Sequence, residues 1–395
     1  MSRALFSSLL TLLLALALPF PGAADGLQPV ERRMAEEIEG QRAEALELLE
    51  ELVTINSGTM NLEGVREVGR RLRPHFERLG FQVSWVSGTE FQRAGHLVAR
   101  RAGDGPKILL IGHLDTVFEP DSPFQDLEHL PDDRLKGPGV IDMKGGIVVM
   151  LQALEALRGQ ELLDQLDLTV VLTGDEEKPG NPISAAREAL FEAGKRAEIA
   201  LAFEDGDGDP ETAVIARRGS SSWLLETTGT PAHSSQVFSE AVGSGAIYEA
   251  ARILYAFHSE LSGEVKLTFN PGLIAGGTEV TFDAEEARAT SFGKNNVVAG
   301  RVVVPGDLRA VSPEQLEEAR STMREIVAEN LPGTEAEISF EDHYPPMAPS
   351  EGNRKLLALY DQVSRDLGLG PVNPVDPRDA GAADVSFVAE DVEMA

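Results

Sequence analysis

Three short apolar runs in this sequence each break off at side chains that bind metals or protons. Lys107–Ile111 (KILLI) passes through Gly112 into His113-Leu114-Asp115. Asp167–Thr173 (DLTVVLT) runs into Gly174-Asp175-Glu176-Glu177, and Ile199–Phe203 (IALAF) into Glu204-Asp205. Near-continuous apolar strands of this length belong to a sheet covered by helices on both faces. Further strands are expected at Phe81–Val86 and His96–Arg101, with helices over Leu27–Leu52, Leu62–Leu79, Gly146–Leu157 and Ile183–Ala193. Ligands of such sheets bind beyond the carboxyl ends of the strands. The runs therefore aim His113, Asp115, Glu176, Glu177 and Glu204 at one rim. Asp142, in the Gly-rich stretch GPGVIDMKGG ahead of the helix from Gly146, is a fourth source of a ligand there.

The pattern changes near Arg218. Strand Ser221–Thr228, helix Glu240–Leu261, strands Val265–Phe269 and Asn296–Arg309, helix Ser312–Asn330 and strand Ala336–Glu341 follow in the order of a ferredoxin-like unit. The Gly-rich PGLIAGGTEV between them reads as a loop or a bent strand. A helix over Asn353–Asp366 resumes the first style. The expectation is an α/β domain with a mixed, mostly parallel sheet flanked by helices, formed by residues 27–215 and 343–395. A smaller α+β domain, residues 216–342, is inserted into it.

The chain has 395 residues, enough for two domains, and no cysteine, so disulfides, thiolate metal sites and thiol nucleophiles are excluded. Any metal must be held by His, Asp and Glu. With Lys+Arg at 35 against Asp+Glu at 65, the formal charge of −30 repels nucleic acid and anionic lipid. The first residues, MSRALFSSLLTLLLALALPFPGAADG, carry a basic start, an apolar run and a small-residue site, the pattern of a signal peptide over residues 1–24. An uncleaved anchor is the rival reading. No other stretch is apolar enough to span a bilayer, so an exported protein without a membrane span is expected.

Each motif has a bland reading. A lone His-x-Asp is commonly a surface accident, and Thr173-Gly-Asp-Glu-Glu-Lys-Pro-Gly in so acidic a chain is by default a solvated turn. EDGDGD from Glu204 is a calcium-like loop or a plain turn, and Asp142 could be an N-cap. The conjunction argues otherwise, because each motif follows the right element. A divalent metal with open positions takes imidazole and carboxylate when thiolate is absent. One carboxylate can bridge two metals, a second can move protons, and Asp115 can turn back to accept the other ring N–H of His113. GPGVID fails as a dinucleotide fingerprint, because Asp142 replaces the third glycine and no buried strand precedes it. No G-x-S-x-G elbow and no basic-aromatic interleaving is present.

The ordered set HLDTVF, GPGVIDMKGG, TGDEE, FE and GTPAHSS resembles the dizinc (zinc exopeptidase-like) metallopeptidase family of glutamate carboxypeptidase, aminoacylase, acetylornithine deacetylase and succinyl-diaminopimelate desuccinylase. It is most similar to the glutamate carboxypeptidase branch, over about Glu47 to Phe387. The resemblance implies two Zn2+ per subunit, with Co2+ or Mn2+ as alternatives. It implies that His113 and Glu204 bind one zinc, that Asp142 bridges both, and that Glu177 binds the second. Glu176 would be the general base and Asp115 the residue orienting His113. In the inserted domain it implies lid and dimerisation roles: His233 crosses to the partner's site to support the oxyanion, and Arg309 with Asn296 holds the substrate's carboxylate. Arginine suits that task through paired charge-assisted bonds. Unaided by the resemblance, Arg309 reads as a surface cation and His233 as a polar turn residue, and Asn295 competes with Asn296.

One departure stands out. The family supplies a last zinc ligand, a histidine after a Gly-rich loop near the C-terminus. None of the seven histidines here lies beyond Tyr344, and the sequence ends at DVEMA after GAADVSF. A truncated record or gene, with an incomplete second metal site, is the expectation. The function expected is an exported zinc exopeptidase or amidohydrolase acting on small peptides or N-acyl amino acids as a homodimer. The alternatives are an amino-acid deacylase of the same family and a non-catalytic binding or dimeric scaffold protein.

Overall fold

A computed structural model describes residues 26–284 and 286–394. The expected signal peptide, residues 1–24, lies outside them. The described chain forms two compact units: one holds the described residues up to Ala216 and from Pro349 onward, the other is Arg217–Ala348.

The first unit begins with α1 (Pro29–Gly40), α2 (Arg42–Val53) and α3 (Leu62–Arg78). The single helix expected over Leu27–Leu52 is two, divided at Gln41. Asn61 caps α3, its side chain accepting from Gly64 N at 3.2 Å. Then come β1 (Gln82–Ser87), β2 (Gly95–Arg101), β3 (Lys107–His113), α4 (Gly145–Gly159), β4 (Asp167–Thr173), α5 (Ile183–Ala186), α6 (Glu188–Gly194) and β5 (Ile199–Ala202). The sheet order is β1-β2-β4-β3-β5. The β1–β2 and β2–β4 pairs are antiparallel, and β4–β3 and β3–β5 are parallel. Parallel neighbours need a crossover: α4 lies between β3 and β4 in the chain, and α5–α6 between β4 and β5.

β3 buries every residue after Lys107, as a strand covered on both faces must. Burying each of Ile108, Leu109, Leu110 and Ile111 stabilises the unit by roughly 1.5–3 kcal/mol. α4 (GGIVVMLQALEALRG) is apolar nearly all round and packs inside the same core. Because β3, β4 and β5 run the same way, their carboxyl ends share one rim. α9 (Glu351–Asp366), capped by Ser350, completes the unit.

The second unit contains β6 (Ser220–Gly229), α7 (Ala246–Leu261), β7 (Thr268–Pro271), β8 (Ala275–Gly277), β9 (Glu279–Asp283), β10 (Arg288–Phe292), β11 (Arg301–Arg309), α8 (Pro313–Ala328) and β12 (Thr334–Tyr344). Its main sheet has the order β7-β11-β6-β12, with β8 also on β11, and every pairing is antiparallel. This is the β-α-β-β-α-β order read from the sequence. α7 starts at Ala246 rather than Glu240, because Gly243 and Gly245 take positive φ values of 70° and 82°. The Gly-rich stretch becomes β8 and the first strand of the β9–β10 hairpin.

Candidate metal-dependent active site

His113 is the last residue of β3 and is 1% exposed, so the surface-accident reading fails. Its Nδ1 lies 3.0 Å from the backbone carbonyl oxygen of Asp115. A carbonyl only accepts, so Nδ1 carries the hydrogen and Nε2 faces the rim. Nε2 is 2.9 Å from Asp142 Oδ1 and 3.7 Å from Glu204 Oε2. One ligand atom from each of His113, Asp142 and Glu204 lies within 4.8 Å of the others, a spacing that fits a single ion. Asp142 is not an N-cap: α4 begins at Gly145 with no side-chain cap. Glu204 follows β5 by two residues, with its side chain mostly buried. Beyond it, Asp207 accepts from Asp209 N and Thr212 Oγ, so that stretch is a self-bonded turn.

Asp115 corrects one expectation. Its own backbone carbonyl, not its carboxylate, takes the ring N–H of His113; the carboxylate stands 3.4 Å from Nδ1. That carboxylate accepts Thr59 Oγ at 2.7 Å, Glu176 N at 3.1 Å and Glu177 N at 3.2 Å. Asp115 thus ties the imidazole to the turn after β4. Burial opposes its charge, but the nearby His113 ring and the donors Thr59 and Glu176 N outweigh that and hold its carboxyl below the usual range.

Glu176 and Glu177 leave β4 on that turn, and Glu177 stands outside the three-residue cluster. Burial first, then the charge of Asp142, pushes its carboxyl up to about 7, and its Oε1 is buried without a hydrogen-bond partner. Burial raises Glu176 well above the carboxylate range, with Asp384, Glu204 and Asp115 adding to it. Burial opposes a charge on His113, yet Glu204, Asp115 and Asp142 together raise it well above its ordinary value. Carboxylates that draw positive charge onto a buried ring make a place suited to a cation. The donor set and the orphaned Glu177 oxygen both fit a divalent metal.

Lys144 was not singled out by the sequence. It is 1% exposed, donates from Nζ to Ile55 O at 2.9 Å, and burial brings it down to about 7. Thr59, Arg187, His96 and Asp384 were also missed. Of these only Arg187 left a local signal, as a cation amid the apolar run ISAAREAL.

The remaining candidates lie in the second unit. His233 caps a short turn, its Nδ1 accepting from Ser235 N at 3.2 Å, and it bridges to Val297. Asn296 O accepts from Ser234 N at 2.9 Å, so His233 and Asn296 belong to adjacent segments. Arg309 is at the far end of β11, its Nε 2.9 Å from Asp307 Oδ2. Asn296 precedes the start of that strand, whose eight steps of ~3.3 Å put about 26 Å between its ends. Within one chain the structure therefore does not bring Arg309 and Asn296 to one carboxylate.

The profile of the family described as Peptidase family M20/M25/M40 matches residues 109–395. Carboxypeptidase G2 of Pseudomonas sp. (strain RS-16) is 25% identical over 350 residues, covering 87% of this chain and 78% of that protein. Succinyl-diaminopimelate desuccinylase of Alkalilimnicola ehrlichii is 25% identical over 359 residues, covering 88% of each. Among solved structures, aminopeptidase PepT from Bacillus cereus ATCC 10987 matches with a TM-score of 0.67 at 20% identity, covering 89% of this chain and 88% of that one. That last likeness is one of fold.

Proposed function

The chain belongs to peptidase family M20/M25/M40 and is a hydrolase of amide bonds, and on that premise we propose that it is a zinc-dependent carboxypeptidase or amidohydrolase of small peptides or N-acyl amino acids. The observation that carries this reading is His113 Nε2 placed 2.9 Å from Asp142 and 3.7 Å from Glu204, beside the turn that bears Glu176.

His113, Asp142 and Glu204 would hold the metal, with Glu177 beside them. When bound, it would polarise the amide carbonyl and acidify a water. Glu176 takes the proton of the attacking water and hands it to the leaving amine. Asp115 keeps Glu176 in reach by bonding its backbone N–H, and it also fixes the neighbouring Glu177. The tautomer of His113 is set by Asp115 O, which leaves Nε2 free to ligate. The resemblance assigns the oxyanion to His233 of a partner subunit and the substrate carboxylate to Arg309. Support for a homodimer comes from the exposed apolar side chains of the second unit, Phe238, Tyr248 and Tyr255 among them. Export rests on the composition of residues 1–24. No helix of the described residues is long and apolar enough to cross a membrane.

Hydrolysis of N-acyl glutamates and dipeptides by the zinc-loaded protein tests the reading. Glu176→Gln should lower kcat by about 10²–10⁴-fold, the usual range for a lost general base. Substrate binding without turnover, even after a C-terminal tail bearing a further histidine ligand is appended, would favour the scaffold reading.

A further inference from the structure

The floor beneath the Glu176–Glu177 turn is built from buried ions. Asp175 and Arg187 are 0% exposed and Asp384 is 1% exposed. Arg187 Nη1 lies 2.7 Å from Asp175 Oδ1, Nη2 donates to the Asp175 carbonyl at 3.2 Å, and Nε lies 2.8 Å from Asp384 Oδ1. Thr173 Oγ donates to Asp384 Oδ2 at 2.6 Å, and Gly180 N to Asp175 Oδ2 at 2.7 Å. Gly174 N donates to His96 Nδ1 at 3.1 Å, while His96 Nε2 donates to Ala186 O at 2.8 Å. The Phe387 ring lies 5.3 Å from the guanidinium. Thr173, Gly174, Asp175 and Gly180 are thus held from this side, and the Glu176 and Glu177 amides by Asp115.

A buried ion group is a weak source of global stability. Apolar side chains of similar volume generally stabilise a fold as well or better than a buried ion group. Directional bonds from Arg187 fix the position of Asp175, while its Nε holds Asp384 as an ion pair, so the one guanidinium reaches two carboxylates at once. The break between α5 and α6 falls at Arg187, which serves as the N-cap residue of α6 with φ −109° and ψ 5°. The local chain thus interrupts a helix at the residue that reaches beneath the turn.

We propose that Arg187 and Asp384 are positioning residues, holding the turn 173–177 so that the Glu176 and Glu177 carboxylates stay beside His113. The proposal rests on the reading of Glu176 as general base, but its first readout does not depend on that reading. Hydrogen exchange, measured by mass spectrometry on the full chain, would compare the unmutated protein with Asp384→Asn, Arg187→Lys and Arg187→Met. Asp384→Asn is isosteric and leaves the Arg187–Asp175 pair charge-balanced, so it remains informative even where Arg187→Met fails to fold. Exchange over 174–178 should quicken by about tenfold or more, with β3 and β6 unchanged, as expected of local opening. In turnover, kcat should fall by about 10–100-fold with KM nearly constant, and Arg187→Lys should recover part of what Arg187→Met loses. Unchanged exchange over the turn in Asp384→Asn, or equal acceleration in every strand, would overturn the proposal. Absence of turnover in the unmutated protein, even with a C-terminal tail bearing a further histidine ligand appended, would sink the hydrolase reading while exchange still decides the positioning.

Discussion

Glu177 gives the residue scale its sharpest test. Its folded carboxyl sits at about 7 against an ordinary value of 4.5, so the folded metal-free chain binds more protons than the unfolded chain between those values. The stabilisation it contributes is complete below about pH 4.5 and is lost as pH rises to 7. Solvent reaching part of the side chain screens this, so the loss stays below the ceiling of about 3 kcal/mol that the difference from 4.5 to 7 sets. Glu176 and His113, raised in the same direction, add to the loss at higher pH, whereas Lys144, lowered to about 7, opposes it only above 7. Chelated protein should therefore lose stability in urea between pH 5 and 7, and Glu177→Gln should flatten that slope. A slope unaffected by Glu177→Gln would show that its carboxyl is not held in the buried setting described. His113, Asp142 and Glu204 were legible in the sequence because each sits at a recognisable strand end or just ahead of a helix start. Thr59 and Asp384 were not, because their partners Asp115 and Thr173 are 56 and 211 residues away, and no local periodicity encodes a contact across that distance.

At the scale of elements, apolar runs bounded by Gly and charge identified the strands of the first sheet to within a few residues, since burial on both faces dictates such runs. Helix breaks were less legible. Gln41 and Arg187 divide segments whose apolar spacing reads as continuous, and the late start of α7 depends on backbone angles at Gly243 and Gly245. The seat of α4 against β5 is a further case. A Cβ on Gly146 would lie 1.9 Å from the Phe203 carbonyl oxygen, next to Glu204. Backbone cannot yield there cheaply, so Gly146→Ala should cost on the order of 1–3 kcal/mol in urea unfolding, the usual penalty for overpacking. The same shift should move Glu204 and weaken divalent-ion affinity measured by calorimetry. Gly263→Ala is the control, because an added Cβ there meets nothing within 4 Å. Equal ion affinity in both variants would mean that the α4–β5 contact does not set the place of Glu204.

For the molecule as a whole, the sequence anticipated two domains with the second inserted, placing its edges at 216 and 342. The structural edges are Arg217 and Ala348, because β12 runs on to Tyr344 and its chain returns to pair Met347 with Arg217. Arg217 N donates to Met347 O and Met347 N to Arg217 O, both at 2.9 Å, so the two ends of the insertion lie side by side. The inserted unit has its own core, in which Trp223, Phe257, Leu225 and Val304 are buried together. Closely spaced ends and an independent core are the marks of a segment that folds alone. Residues 217–348 expressed by themselves should unfold cooperatively with a stability of about 5–15 kcal/mol. The reciprocal chain, in which Ala216 is joined to Pro349 by a few Gly and Ser residues, keeps His113, Asp142 and Glu204 with every hydrogen bond described for them. It should bind one divalent ion within about threefold of the full chain's affinity, a difference of under 1 kcal/mol. Calorimetry on the joined chain decides the point: a folded first unit that no longer binds the ion would mean that residues 217–348 contribute to the metal site.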